Sequence, residues 1–191
     1  MPLTHHYFAT CAKGLEPLLA AELQSLGAKN VKDTRAGIAC EGDLPLGLRV
    51  CLWSRLASRV LLRLAQFPAA TPDQLYEGAR WISWHDHLSP SQTLAVSCTL
   101  DQSAISHSHY AALKVKDAIV DSLRDRYGYR PSVATIRPDL PFHVHIRKEV
   151  ATVYIDFSGE SLHRRGYRAE GVEAPLKETL AAAIQIGRAH V

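Results

Sequence analysis

The chain has 191 residues, with 22 Lys and Arg against 19 Asp and Glu for a formal charge of +3, 47% hydrophobic and 21% charged residues, and four cysteines. That length allows one large domain or two small ones, and the composition excludes a disordered or collagen-like chain. No apolar run reaches the roughly 18 residues of a membrane span and no charged-then-apolar leader opens the chain, so a soluble, cytoplasmic protein with no membrane partner is expected.

Tyr7–Thr10 is a short β-prone run. Leu15, Leu18, Leu19, Leu23 and Leu26 then recur at the three/four spacing of an amphipathic helix that ends at Gly27, with Pro17 in its first turn, where a missing N–H costs little. Val31–Thr34 and Gly37–Glu41 flank Arg35-Ala36 as a hairpin. Leu46–Leu52 reads as a helix and Val60–Phe67 as a strand. This β-α-β-β-α-β order is the split βαβ, ferredoxin-like arrangement, an antiparallel sheet covered on one face by two helices.

A turn at Pro68–Pro72 starts a second unit. Thr71 and Pro72 open a helix over Gln74–Ala79, with Trp81, Ile82 and Trp84 supplying large apolar surface nearby. Thr93–Cys98 alternates like a strand, a long helix runs from about Ser108 to Tyr127 and stops before Gly128, and Phe142–Arg147 and Val150–Phe157 form a hairpin around Lys148-Glu149. On a helical wheel of about 100° per residue, Val115, Ile119 and Leu123 fall within about 60° of Ala112 and define the buried stripe of the long helix. Lys116 falls at about 40°, inside that stripe, so either its ammonium snorkels past apolar surface or it meets a ligand. Lys114 and Asp121 lie on the opposite side.

Charge is unevenly divided. Residues 1–107 carry nine basic and nine acidic side chains, residues 108–168 eleven and seven, and residues 169–191 two and three. The excess therefore sits in one stretch, the footprint of a surface that meets phosphates or, more plainly, a solvated basic face. Cys11, Cys40, Cys51 and Cys98 are too scattered for a metal or redox pair and read as reduced thiols. His85/His87, His107/His109 and His143/His145 are H-x-H pairs, which on a strand put two imidazoles on one face as zinc ligation would need. No third ligand is fixed, so surface histidines are the default and no metal is expected. The eleven glycines never fall two apart and no nucleotide-cradling motif occurs, so no cofactor site is expected either. In Leu162-His163-Arg164-Arg165-Gly166-Tyr167-Arg168, three guanidiniums and an aromatic ring gather around one glycine, suited to phosphate forks and base stacking or to salt bridges within a basic linker.

Four segments then follow one another at a familiar spacing: AALKVKDAIVD (111–121), the strand ending Asp156-Phe157-Ser158-Gly159, the Arg-rich segment, and APLKETLAA (174–182). From about Tyr7 to Ile184 the chain resembles the N-terminal part of the bacterial 23S rRNA guanine-N2 methyltransferases of the RlmL type, also found as the N-terminal half of the fused RlmKL enzyme. The resemblance implies an α+β chain with a ferredoxin-like domain (1–67), a THUMP α/β domain (68–158), and a linker with the first helix toward a methyltransferase domain (159–184). THUMP is an RNA-binding module of RNA methyltransferases, thiouridine synthetases and deaminases. In the family a Rossmann-like domain follows, which binds S-adenosylmethionine and uses an Asn/Asp-Pro-Pro motif to position the exocyclic amine of guanine.

This sequence has no Pro-Pro pair, so no catalytic residue is expected in it, and S-adenosylmethionine is expected only of the full-length enzyme. Residues 185–191 depart from the family, and Ile186–Val191 reads like one frame of a common sequencing adapter, an expected artefactual tail. The expected partners are 23S rRNA or the assembling large ribosomal subunit and the methyltransferase domain. Carried over by motif, Lys114, Lys116, Arg164, Arg165 and Arg168 are candidate RNA contacts; Arg124 and Arg137 join them on charge. The rival readings are a THUMP-containing part of another RNA-modification enzyme, such as a thiouridine synthetase, and a small metal enzyme built on the H-x-H pairs.

Overall fold

The computed structural model describes residues 4–35, 37–166 and 176–188. Two compact units emerge, one from Met1–Leu62 with Glu160–Val191, the other from Arg63–Gly159.

The first unit runs β1 (His5–Thr10), α1 (Glu16–Ser25), β2 (Lys29–Thr34), β3 (Gly37–Gly42), α2 (Leu44–Trp53) and the start of β4 (Arg59–Pro68). Its strands lie in the order β2-β3-β1-β4, each neighbour antiparallel, which is the ferredoxin-like topology expected from the sequence. Ala36, in the expected turn, lies outside the described residues. Strand alternation sets the core. Tyr7 stands between Cys40 and Leu62, and Ala9 between Ile38 and Val60; these six side chains are buried, together with Leu19 and Leu23 of α1 and Leu46 and Val50 of α2. The second helix begins two residues before the hydrophobic pattern does. Asp43 caps it by accepting from the Leu46 N–H at 2.9 Å, and a proline occupies its first turn.

The second unit comprises the rest of β4, α3 (Pro72–Arg80), a 3₁₀ turn at Trp84–Asp86, β5 (Thr93–Asp101), α4 (Ser108–Tyr127), β6 (Ser132–Val133), β7 (Leu140–Arg147) and β8 (Val150–Asp156). Thr71 caps α3 as expected, accepting from Gln74 N–H at 3.2 Å. Strand β5 pairs in parallel with β6 on one side and β7 on the other, while β7 and β8 form an antiparallel hairpin. Phe142, Val144 and Ile146 of β7 and Ala151, Val153 and Ile155 of β8 are buried, and Trp84 meets Phe142 edge-on at 5.2 Å. The two-residue β6 and the 3₁₀ turn were invisible in the sequence because neither is long enough to show a period.

After Gly159 the chain returns to the first unit, where α5 (Glu178–Arg188) buries Thr179 and Ala183. No helix among the described residues is long and apolar enough to cross a membrane.

Candidate nucleic-acid interface

The long helix α4 carries three of the expected RNA contacts. It buries Ala111, Ala118, Val120 and Ser122 in addition to the expected stripe of Ala112, Val115, Ile119 and Leu123. The side expected to face away is partly occupied by α3. Tyr76 of α3 donates to Asp121 at 2.8 Å, Arg80 pairs with Asp125 at 3.0 Å, and Ser122 Oγ donates to the Arg80 carbonyl at 3.3 Å. The small residues Ala111, Ala118 and Ser122 keep that side of the helix narrow. Donating its hydrogen bond to Asp121 and losing water both hold the Tyr76 phenol above its ordinary value.

Lys114 follows from the same packing. Its ammonium lies 5.9 Å from the Tyr76 ring centre, 5.8 Å from that of Tyr110 and 3.7 Å from Asp73. Lys116, inside the stripe, snorkels: its side chain is 22% exposed and its ammonium pairs with Asp117. Arg124 is exposed and bridges Asp121 at 3.0 Å and Asp125 at 3.3 Å. One residue in this region escaped the sequence reading: Arg126, whose guanidinium sits 6.0 Å over the ring of Trp81. The signal available was its place two residues before Gly128, in the last turn of α4, but only the folded helix pair shows which ring it meets. Arg137 is exposed in the loop before β7, with a left-handed φ of 49°.

The Arg-rich segment belongs to the first unit. Arg164 is exposed. Arg165 is used by the fold itself: Nε donates to the Leu162 carbonyl at 3.1 Å, Nη1 to Leu52 at 2.9 Å, and Nη2 to Cys51 and Ser54 at 2.8 Å each. Four of the five guanidinium N–H groups are thereby committed, three of them to carbonyls at the end of α2, where a helix lacks donors and favours a cation. Arg165 therefore also positions its own segment, and among the described residues one guanidinium N–H is left for an RNA contact. Arg168 lies outside the described residues. Lys114, Lys116, Arg124 and Arg137 thus share one unit, and Arg164 and Arg165 the other.

Three of the H-x-H histidines find other partners. His143 lies 2.9 Å from Ser97 Oγ and 3.1 Å from Thr99 Oγ1, and His145 is 3.0 Å from the same threonine. His85 is hydrogen-bonded to Tyr127 at 2.8 Å and paired with Asp86 at 3.2 Å. Among the described residues no three His, Cys, Asp or Glu side chains converge as a metal would need. Burial pushes the Cys11, Cys40 and Cys98 thiols up to about 11, as inert thiols.

An adenosyl cofactor does not fit these residues. In sheets with parallel strands such ligands sit beyond the carboxyl ends of the strands, against glycine-rich turns. The turn from β5 into α4 spans residues 102–107, contains no glycine and tucks Ile105 into the core.

Comparison with known proteins supplies the family. An RlmL ferredoxin-like domain model matches residues 6–61 and a THUMP domain model residues 69–156. A ribosomal RNA large subunit methyltransferase K/L of Syntrophotalea carbinolica is 56% identical over 178 residues, which are 93% of this chain and 25% of that protein. Its counterpart in Methylococcus capsulatus is 52% identical over 97% of this chain and 25% of its own length. The chain thus spans about a quarter of the curated relatives it matches. A crystal structure from Listeria monocytogenes, solved under the name of a predicted N6-adenine-specific DNA methylase, superposes with a TM-score of 0.85 at 32% identity, covering 96% of this chain and 48% of that one. An RlmL ferredoxin-like domain joined to a THUMP domain, matching the same relatives at about half identity along nearly its whole length, makes this chain a member of the ribosomal RNA large subunit methyltransferase K/L family.

Proposed function

We propose that this chain is the RNA-gripping part of a cytoplasmic, S-adenosylmethionine-dependent 23S rRNA guanine-N2 methyltransferase. It holds ribosomal RNA, free or in the assembling large subunit, while a separate catalytic domain binds the cofactor and transfers the methyl group. The observation that carries this reading is the ferredoxin-like and THUMP pair at 56% identity to a K/L methyltransferase. Lys114, Lys116, Arg124, Arg137, Arg164, Arg165 and Arg168 contact phosphates, and Arg165 also ties its own segment to the end of α2. The domain limits that go with this reading are 1–67 and 68–158.

Phosphate contacts grip without reading sequence. Filter binding of a large-subunit rRNA fragment at two salt concentrations tests the proposal, with heparin as the polyanion control. The expected affinity falls with salt at a log–log slope of about 0.7–0.9 per phosphate contacted, and Arg124→Ala lowers that slope by about one contact. Equally weak retention of RNA and heparin overturns the reading.

A further inference from the structure

Trp81 is 77% exposed, whereas Trp84, three residues on, is 1% exposed and donates its indole N–H to the Ala79 carbonyl at 2.8 Å. An indole left this open forgoes one of the largest apolar burials a side chain can make. It nevertheless stands in a defined setting. The Arg126 guanidinium lies 6.0 Å over its ring, and among the described residues Arg126 makes no ion pair, so its charge is available.

Beside Trp81 is a hollow of about 430 Å³, at the small end of the range for ligand pockets. Phe67 and the buried Ile82 supply its apolar lining, and Ser83 and His87 its polar groups. Gly78 fixes the Phe67 wall, because a Cβ there would come within 2.2 Å of the Phe67 ring. Burial holds the His87 imidazole below its ordinary value, so at neutral pH it offers one donor and one acceptor. Next along the two chain segments, His85 and Tyr127 stack at 4.6 Å, and Tyr127 is half exposed with Tyr129 at 6.4 Å.

We propose that Trp81, with Arg126 above it and the hollow beside it, is a stacking subsite for an unpaired base of single-stranded RNA. The indole supplies a flat face that any base can cover, Arg126 meets the adjoining phosphate, and Ser83 and His87 meet the polar edge of the base. Alternating ring and cation is the pattern that binds single strands with little sequence preference. The inference rests on the RNA-binding reading and deepens it by specifying a looped or single-stranded segment over a duplex.

The test uses the whole chain in a Trp53→Phe background, since Trp53 is also 66% exposed and Trp84 is buried. The probes are a single-stranded oligoadenylate of about 12 nucleotides, within the roughly 4–16 that such sites span, and an RNA duplex of equal length. The single strand is expected to quench indole fluorescence. Trp81→Ala should weaken single-strand binding about 5- to 150-fold, leave duplex binding within about twofold and leave the melting temperature unchanged; Trp81→Phe should restore most of the loss. If the parent binds RNA but Trp81→Ala binds the single strand equally well, the stacking subsite is overturned and the broader reading stands. If the parent binds neither probe better than heparin, both fall. If the single strand leaves fluorescence unchanged while Trp81→Ala abolishes concentration-dependent self-association, the patch is an interface with a second copy and the proposal is wrong.

Discussion

Arg165 and Glu22 hold the two sides of one junction in the first unit. The Glu22 side chain is only 8% exposed and accepts from Ser54 Oγ at 2.6 Å, from the N–H groups of Arg55 at 3.1 Å and Leu56 at 3.3 Å, and from Arg55 Nε at 3.2 Å. It satisfies donors just after α2, while Arg165 satisfies acceptors at its end. Removing Arg165 takes a donor from four carbonyls, three of them at the end of α2. Hydrogen bonds to charged groups contribute about 1.5–3 kcal/mol each, though not additively, so Arg165→Ala should cost about 2–4 kcal/mol in urea denaturation. Arg165→Lys should recover only part of it, because a point charge cannot fork among several acceptors. A loss below about 0.5 kcal/mol, the scale of an ordinary surface change, would remove Arg165 from this role. None of this was legible in the sequence, since the carbonyls of Cys51 and Leu52 are more than a hundred residues away.

Elements were legible where a period ran long enough to repeat. The β-α-β-β-α-β order and α4 are long and strongly patterned, and the structure agrees with both. What sequence missed depends on partners: α2 starts early because Asp43 caps it, and α4 buries a wider arc because α3 packs along it. Trp81 and Trp84 are alike in sequence, but only Trp84, which opens the 3₁₀ turn, packs against Phe142 of β7 and reaches the Ala79 carbonyl. The stop of α4 is legible in Gly128, which has a left-handed φ of 73° and donates to the Arg124 carbonyl at 2.9 Å. A Cβ there meets nothing within 4 Å, so Gly128→Ala carries backbone strain alone. The expected cost is about 1–2 kcal/mol, seen as a lower melting temperature with the RNA salt slope unchanged. The Lys148-Glu149 turn bears the same kind of strain without glycine, at φ 46° and 65°, which is the geometry that a two-residue hairpin requires.

At the scale of the whole molecule, stability and the proposed RNA grip depend on different groups. Burial keeps His87 and His145 below the ordinary histidine value, and hydrogen bonds from Thr93 keep Asp139 below the ordinary carboxylate value. In each case the unfolded chain binds its proton at higher pH than the folded one. The histidine contribution is therefore fully present above about pH 6.5 and is lost as pH falls through the lower folded values; that of Asp139 follows below about pH 4. Unfolding free energy should decline between about pH 7 and pH 5, and the His87→Gln/His145→Gln pair should flatten that decline; an unchanged slope would mean that neither imidazole governs it. The return of residues 160–166 to the first unit, tied by Leu162 N–H to the Ser58 carbonyl at 2.9 Å and by Arg165 to α2, has a consequence in time. A ribosome emits β1 through α2 well before the residues that finish their unit, with all of Arg63–Gly159 in between. The second unit is contiguous and is able to fold as soon as it emerges, whereas the first waits with its α2 carbonyls unmet until the guanidinium arrives. The order of completion expected on the ribosome is therefore the second unit before the first.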